Sequence, residues 1–288
     1  MRDLNWALKQ LCLQHQDGSF ATRRDRERSL SLVANQLHEI GFRRLSVSGF
    51  KPKHIEALIQ RWQNEALSNG TIKNRLSHLR WLTGKIDKQN IMARTNDTYG
   101  IAQRSFVSQV SKGHELSLIQ LMKVSNPYSN MSLRLQAAFG LRREESLKIQ
   151  PGWADRGTAL VLKASWCKGG RPREIPMSSD EQCTLINIAK AITKGGSLIP
   201  CDHSYKEQLN IFRRDCEQAG IHKVHGLRHQ YAQNRYLEKT GWPCPVRGGP
   251  TVHQLSVEQK QVDMAARLLI SEELGHGREQ ITTVYLGR

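Results

Sequence analysis

Arginine, lysine, histidine and tyrosine recur in the carboxy-terminal half of the sequence in an order that suits chemistry on a phosphodiester. They lie in four short segments, Gly140-Leu141-Arg142-Arg143-Glu144-Glu145, Lys168-Gly169-Gly170, His225-Gly226-Leu227-Arg228-His229, and Leu274-Gly275-His276 followed by Tyr285. Guanidinium groups neutralise the charge that builds on the oxygens of an attacked phosphate, because they donate paired hydrogen bonds. A tyrosine hydroxyl can attack such a phosphorus and stay bound to it. The four segments together are a candidate active site.

In this order the segments resemble the signature of the tyrosine recombinase (phage integrase) family, which is Arg, Lys, His-x-x-Arg, His and Tyr. The resemblance is strongest over residues 137–177 and 222–286 and only general in the amino-terminal half. It implies a site-specific recombinase, the integrase of a mobile element, that cleaves and rejoins DNA strands through a 3′-phosphotyrosyl intermediate. The implied catalytic residues are Arg142, Lys168, His225, Arg228, His276 and Tyr285.

The resemblance also implies a role for each residue that would act beside the arginine clamp. Lys168 would give a proton to the departing 5′ oxygen, and His225 would assist proton transfer. His276 would hydrogen-bond the phosphate, and Tyr285 would be the nucleophile. The covalent link stores the energy of the broken bond, so resealing would require neither ATP nor a cofactor.

Some neighbouring positions agree with the family pattern and others depart from it. Glu145 lies where the family has an acidic residue that helps to hold the site, and the residues after Lys168 fit a second hairpin strand. His276 follows Arg228 by 48 positions, a longer spacing than is usual, and Gly241 to Pro250 suggests an inserted loop. Only three residues follow Tyr285, whereas many family members have a further helix there that docks on a neighbouring subunit. Either the sequence is shortened or assembly uses another surface.

Three other interpretations stay open at this point. Taken singly, each arginine or lysine could be an ordinary solvated residue, such as one in a surface ion pair, and each histidine or tyrosine could be an ordinary buried or half-buried residue. A type IB topoisomerase would use the same covalent step, although the integrase-like layout favours recombination. A DNA-binding accessory factor without catalysis would suit the basic residues, but it would have no need of Tyr285.

The charge of the chain indicates a polyanionic partner. Its 288 residues hold 43 Lys and Arg against 26 Asp and Glu, a formal net charge of +17. Residues 1–112 carry net +10 and residues 113–288 net +7, so both halves suit phosphate contact. A generic basic surface would give the same composition. Together with the family signature, however, the charge leads us to expect double-stranded DNA recombination sites as the substrate and a homo-tetramer as the form that binds them. Accessory DNA-bending proteins are further candidate partners.

The cysteines and the amino terminus favour a reducing, cytoplasmic setting. The six cysteines form no Cys-x-x-Cys pair, so we expect free thiols, no metal site and no cofactor. Residues 1–20 lack the apolar stretch of a signal peptide, and no run is long enough to cross a bilayer. We expect a nucleoid-associated bacterial protein that does not bind membranes.

Three amphipathic helices are predicted in the amino-terminal half, over residues 21–40, 53–67 and 71–83. The third has Thr71 as a candidate cap and a polar, basic side, which makes it the candidate for a DNA groove. A solvated helix face is the alternative. The candidate DNA-binding residues on this helix are Lys73, Asn74, Arg75, His78 and Arg80.

Residues 84–112 lose periodicity and fit a polar linker. Beyond it the pattern predicts helices over 116–124, 132–139, 180–192, 205–219 and 227–237, with strands at 159–165 and 173–177. The predicted fold is mostly α. It has a helical core DNA-binding domain with its linker over residues 1–112 and an α+β catalytic domain with a small antiparallel sheet over residues 113–288.

Overall fold

Helices form most of the chain in the computed structural model, which describes residues 3–103 and 106–288. The chain divides into two units, Met1–Ser105 and Phe106–Arg288. Residues 104 and 105, which fall in the predicted linker, lie outside the described residues. The linker prediction placed the boundary at residue 112, whereas residues 106–112 belong to the second unit, where hydrogen bonds tie them to its carboxy-terminal segment.

The described residues of the first unit form four α-helices around one apolar core. They are α1 (Asp3–Gln14), α2 (Phe20–Ile40), α3 (Pro52–Asn64) and α4 (Asn69–Lys85). The inward residues of the last three recur at helical spacing, and Trp62 and Leu37 are fully buried among them. The three predicted helices are confirmed, while α1 was not predicted. Gly41 ends α2 as expected, with φ of 113°.

The start of α4 corrects one detail of the sequence prediction. Ser68, and not Thr71, caps the helix: the Ser68 hydroxyl accepts a hydrogen bond from the Thr71 backbone N–H at 3.2 Å. A serine before the first turn satisfies one of the amide groups that have no partner within the helix.

The second unit is also mostly helical and carries the sheet. Its helices are α5 (Leu118–Lys123), α6 (Pro127–Phe139), α7 (Arg143–Lys148), α8 (Pro151–Ala154), α9 (Asp180–Thr193), α10 (Tyr205–Gln218), α11 (Gly226–Thr240), α12 (Val257–Glu273) and α13 (Thr283–Leu286). Strands β1 (Ala159–Leu162) and β2 (Arg173–Pro176) pair antiparallel, with Leu160 opposite Ile175. The predicted small antiparallel sheet is confirmed, but β1 is shorter than predicted because a helical turn begins at Ala164.

Two apolar clusters support the second unit. The larger one joins α6, α9, α11, α12 and the hairpin, and it includes Tyr285 and Leu286 of α13. The smaller lies around Phe212 of α10 and Leu147 of α7. In the suspected insertion, Trp242 and Val246 pack against the larger cluster, so this loop is part of the folded unit. Within the described residues, no helix has the length and apolar character required to span a membrane.

Candidate active site

Arg142 is held by its own helix start. It stands just before α7, where its backbone N–H donates to Glu145 Oε2 at 2.6 Å and its Nη1 donates to Glu145 Oε1 at 2.8 Å. Gly140, two residues earlier, has φ of 58°, and a Cβ there would lie 2.5 Å from the ring of Tyr231. Only glycine suits that position. The turn therefore aims the half-buried Arg142 guanidinium while Glu145 fixes it.

Glu145 is a buried anion shared by two arginines. Arg173 of β2 donates to its two oxygens, from Nη1 at 2.8 Å and from Nη2 at 2.7 Å, which is the bidentate geometry of strong pairs. Burial opposes ionisation of Glu145, but the hydrogen bonds and charge of Arg173, with Arg142, outweigh it and lower its pKa to about 2. Arg173 Nε also donates to the backbone oxygen of Glu273 at 2.8 Å. Arg173 thus connects the hairpin to α7 through this ion pair and to the end of α12 through the backbone hydrogen bond.

Lys168 stands apart from the other candidates. It lies in the turn between β1 and β2 with its side chain exposed. Among the described residues, no hydrogen bond or ion pair joins it to the other five. At the base of the hairpin that carries it, Arg173 bonds to Glu145 and to the Glu273 backbone.

Arg228 is the most deeply placed of the candidate residues. It lies in the first turn of α11 with no solvent exposure, and it donates to the backbone oxygens of Gly140 and Leu274. Through these two bonds Arg228 connects α11 to the turn before Arg142 and to Leu274, the residue that directly follows α12. Burial, above all, lowers the pKa of Arg228 to about 10, so the guanidinium remains charged at neutral pH. A fixed cation is therefore present at the centre of the site.

Tyr285 and His276 meet at this arginine. Arg228 Nε donates to the Tyr285 hydroxyl at 3.3 Å, and His276 Nε2 lies 3.3 Å from the same hydroxyl and 3.3 Å from Arg228 Nη2. A guanidinium only donates, so a hydrogen bond between Arg228 and His276 requires the tautomer in which Nε2 is the acceptor and the proton is on Nδ1. In that tautomer Nε2 can also accept from the Tyr285 hydroxyl. The structure brings Arg228, His276 and Tyr285 into direct contact.

Two histidines four residues apart, His225 at the N-cap of α11 and His229 within the helix, also lie close to the tyrosine ring. The ring of His225 lies 6.2 Å from that of Tyr285, and the ring of His229 lies 4.6 Å from it. His225 is one of the predicted catalytic residues, whereas His229 had no predicted role. The signal was present, since residues four apart share one helix face. His229 is buried, and its Nδ1 makes no hydrogen bond within the described part of the chain.

All three histidines favour the neutral form at physiological pH. Burial, followed by the charges of Arg228 and Arg142, lowers the pKa of His276 to about 4 and that of His225 in the same direction. Burial, followed by the charge of the neighbouring His225, lowers the pKa of His229 to about 4. The positive charge of the site therefore comes from arginine, and the imidazoles act as neutral hydrogen-bonding groups.

The five candidate DNA-binding residues of α4 differ in their surroundings. Asn74 is exposed, while Lys73 and His78 are half-buried. The guanidinium of Arg75 lies 5.2 Å from the ring of Trp62, and burial lowers its pKa. Arg80 donates to the Asn96 side chain at 2.7 Å. Contacts within the first unit thus hold both arginines, a feature that helical spacing alone did not predict.

Two family models match separate parts of the chain. The model described as phage integrase, N-terminal, matches residues 1–92, and the model described as integrase matches residues 107–234. The second match includes Arg142, Lys168 and Arg228. A search of curated proteins finds no match.

Solved structures share the fold over almost the whole chain at low sequence identity. The Tn1549 transposon integrase in complex with circular intermediate DNA is 13% identical, with a TM-score of 0.56, covering 100% of this chain and 96% of that one. A lambda integrase tetramer bound to a Holliday junction is 15% identical, with a TM-score of 0.58 and coverage of 95% and 74%. XerH recombinase bound to its palindromic difH substrate is 16% identical, with a TM-score of 0.57 and coverage of 99% and 81%. These likenesses establish a common fold.

Proposed function

The chain belongs to the phage integrase family of tyrosine recombinases, and we propose that Tyr285 is the nucleophile with which it cuts and rejoins DNA at specific sites. The observation that carries this assignment is the contact of one hydroxyl with both Arg228 and His276. A tyrosine placed only for packing would have no need of a buried guanidinium and an imidazole lone pair at its oxygen. The roles that follow are proposals for this chain.

In the cleavage step, the Tyr285 oxygen attacks the phosphorus, a phosphotyrosyl bond forms, and the bond from phosphorus to the 5′ oxygen breaks. The tyrosine proton passes to a neutral imidazole. His276 is the imidazole within hydrogen-bonding distance in the free protein, and His225 is the second candidate once DNA displaces the hydroxyl. Rejoining is the reverse reaction with the 5′ hydroxyl of another strand.

Arg142 and Arg228 form the clamp on the non-bridging oxygens in this proposal. Both are fixed before DNA arrives, Arg142 by Glu145 and Arg228 by two backbone oxygens. Groups that are already oriented lose little freedom when the charge of the transition state develops, so their electrostatic contribution is large. Glu145, held in turn by Arg173, supports this clamp.

Lys168 is the proposed general acid for the 5′ oxygen. Its exposed position in the hairpin turn supports this role, because an exposed side chain is free to contact bound DNA. Protonating the departing oxygen lowers the cost of breaking its bond, which is the usual contribution of an acid catalyst. In this proposal, Lys168 joins the other catalytic residues only when DNA is bound.

Double-stranded DNA sites are the proposed substrate, and a homo-tetramer is the proposed active assembly. The charge excess in both units supports phosphate contact. One structural neighbour, lambda integrase, is a tetramer on a Holliday junction. Accessory DNA-bending proteins remain candidate partners. The family matches do not favour a type IB topoisomerase or a non-catalytic accessory factor.

Replacing Tyr285 by Phe tests the assignment. The ring and its packing remain while the attacking oxygen is lost, so Tyr285→Phe should bind DNA like the unaltered protein and give no covalent complex on a nicked suicide substrate. Tyr128→Phe is the matched control, since this half-buried tyrosine also packs on the same core. Equal covalent trapping by Tyr285→Phe and the unaltered protein would refute the assignment.

A further inference from the structure

The helix that carries Tyr285 is a single turn and has little support of its own. α13 spans Thr283–Leu286, and the N–H of Gly287, the residue that follows it, donates back to the Thr283 oxygen at 3.1 Å. The carbonyl groups of a last helical turn have no partner within the helix, and a helix this short is not stable in isolation. Contacts from elsewhere must therefore fix the backbone of Tyr285.

Residues 106–112, which we call the strap, supply the first of these contacts. The Ser108 backbone N–H donates to the Thr283 oxygen at 3.1 Å, and the Ser108 hydroxyl donates to the Val284 oxygen at 2.7 Å. One residue thus holds two consecutive carbonyl groups of α13. Ser108 is half-buried and far from this helix in sequence.

A buried glutamine of α11 holds the next carbonyl. Gln233 Nε2 donates to the Tyr285 backbone oxygen at 3.1 Å, and Gln233 is 1% exposed. The amide is oriented by the strap, because the Ser111 hydroxyl donates to Gln233 Oε1 at 3.0 Å. Arg267 of α12 then donates to the Gly287 oxygen at 2.9 Å. Four carbonyl oxygens of residues 283–287 are held by residues outside α13.

We propose that Ser108 and Gln233 are positioning residues for Tyr285: they fix the nucleophile helix so that the hydroxyl stays at Arg228 within the same subunit. This inference rests on the proposed function of Tyr285. Neither residue touches the reacting atoms. A shift of about 1 Å in a reacting group costs on the order of a hundredfold in rate, so a loosened backbone should slow cleavage without weakening DNA binding.

The test uses the full chain and single-turnover cleavage of a nicked suicide substrate. Ser108→Ala removes the bond to Val284, and Gln233→Glu keeps the shape of the side chain while replacing the donor that faces the Tyr285 oxygen. Each change should slow cleavage about tenfold, because the free energy lost with one such hydrogen bond corresponds to a change in rate of about that size. Ser108→Thr keeps a hydroxyl and should restore most of the rate. Val110→Ala, an exposed position in the same strap, is the matched control.

Two further readouts separate positioning from general damage to the fold. The plateau cleavage rate should fall while the DNA concentration at half-saturation stays within about twofold, as expected when a group acts only in the transition state. On a substrate with sulfur at the 5′ bridging position, the leaving group needs no proton. Lys168→Ala should therefore regain cleavage there, while Ser108→Ala and Gln233→Glu should stay slow.

The outcomes also distinguish this inference from the proposed function. Trapping by the unaltered protein that persists in Tyr285→Phe would refute the function itself. If trapping depends on Tyr285 but Ser108→Ala and Gln233→Glu cleave at the unaltered rate, the positioning role alone is refuted. Equal losses of DNA binding and cleavage in both variants would also overturn it.

Discussion

At the scale of single residues, the site depends on charges that are fixed before DNA binds. Arg228 makes its contacts with backbone oxygens, and Arg142 makes its own with Glu145, so both guanidinium groups are oriented in the free protein. Glu145 is in turn paired with Arg173 of β2. The clamp therefore depends on a buried ion pair.

The Glu145 pair predicts a particular dependence of stability on pH. The pKa of Glu145 is lowered to about 2 in the folded protein, so its contribution is fully present above the range in which an unfolded glutamate titrates. That contribution is lost as the pH falls from about 4.3 towards 2. The difference in free energy of unfolding between the unaltered protein and Glu145→Gln should be largest at pH 7 and smaller at pH 3.5.

Urea denaturation at the two pH values measures this difference. Glu144→Gln is the matched control, because Glu144 is exposed and pairs with Lys148 on the surface of α7, where such a pair contributes about 0 to 1 kcal/mol. A Glu145→Gln effect that is the same at both pH values would contradict the account of the buried carboxylate.

At the scale of elements, helices with a clear apolar side could be predicted from the sequence, whereas contacts between distant segments could not. The predicted helices α2, α3 and α4 are present because their inward residues recur at helical spacing. The one-turn helix α13 has no such pattern, and its partners Ser108 and Gln233 lie far away in the chain. Residue type and order predicted the candidate catalytic set, but not the positions of Arg173 and His229 beside it.

Helix α4 remains the candidate for reading DNA sequence, and it carries a prediction at this scale. Asn74 is exposed on this helix, so Asn74→Ala should cost about 1 to 3 kcal/mol on the cognate site and much less on random DNA. Lys73→Ala, the expected phosphate contact, should weaken binding to both kinds of DNA similarly. Equilibrium binding to the two DNAs distinguishes these roles.

Arg75→Ala should differ from both variants. Its guanidinium packs over Trp62 in the core of the first unit, so this change should lower the melting temperature as well as affinity. Unchanged affinities for all three variants on both DNAs would mean that α4 faces solvent and that the target is read elsewhere.

At the scale of the whole molecule, charge and the order of the site residues carried most of the functional prediction. The excess of 43 basic over 26 acidic side chains extends over both units. Spacing alone could not place the domain boundary, because residues 106–112 show no helical or strand periodicity, like a linker, and yet bond to α11 and α13. Their place in the second unit depends on hydrogen bonds that composition does not encode.

The charge of the whole chain predicts steep salt dependence of DNA binding. Each neutralised phosphate releases counterions, so raising the salt from about 50 to 200 mM should weaken binding on the order of a thousandfold or more if several phosphates are contacted. Titrations of one DNA duplex at several salt concentrations give the slope. A nearly constant affinity would argue against phosphate contact by both units.

The most direct measurement of the central claim is the identity of the residue that becomes attached to DNA. The covalent complex trapped on a suicide substrate would be digested with nuclease and protease, and the peptide that retains a nucleotide would be sequenced by mass spectrometry. The account predicts that the nucleotide is attached through a 3′-phosphate to Tyr285, in the peptide that follows Arg278. A nucleotide on any other residue, or a DNA break with no protein attached, would contradict it.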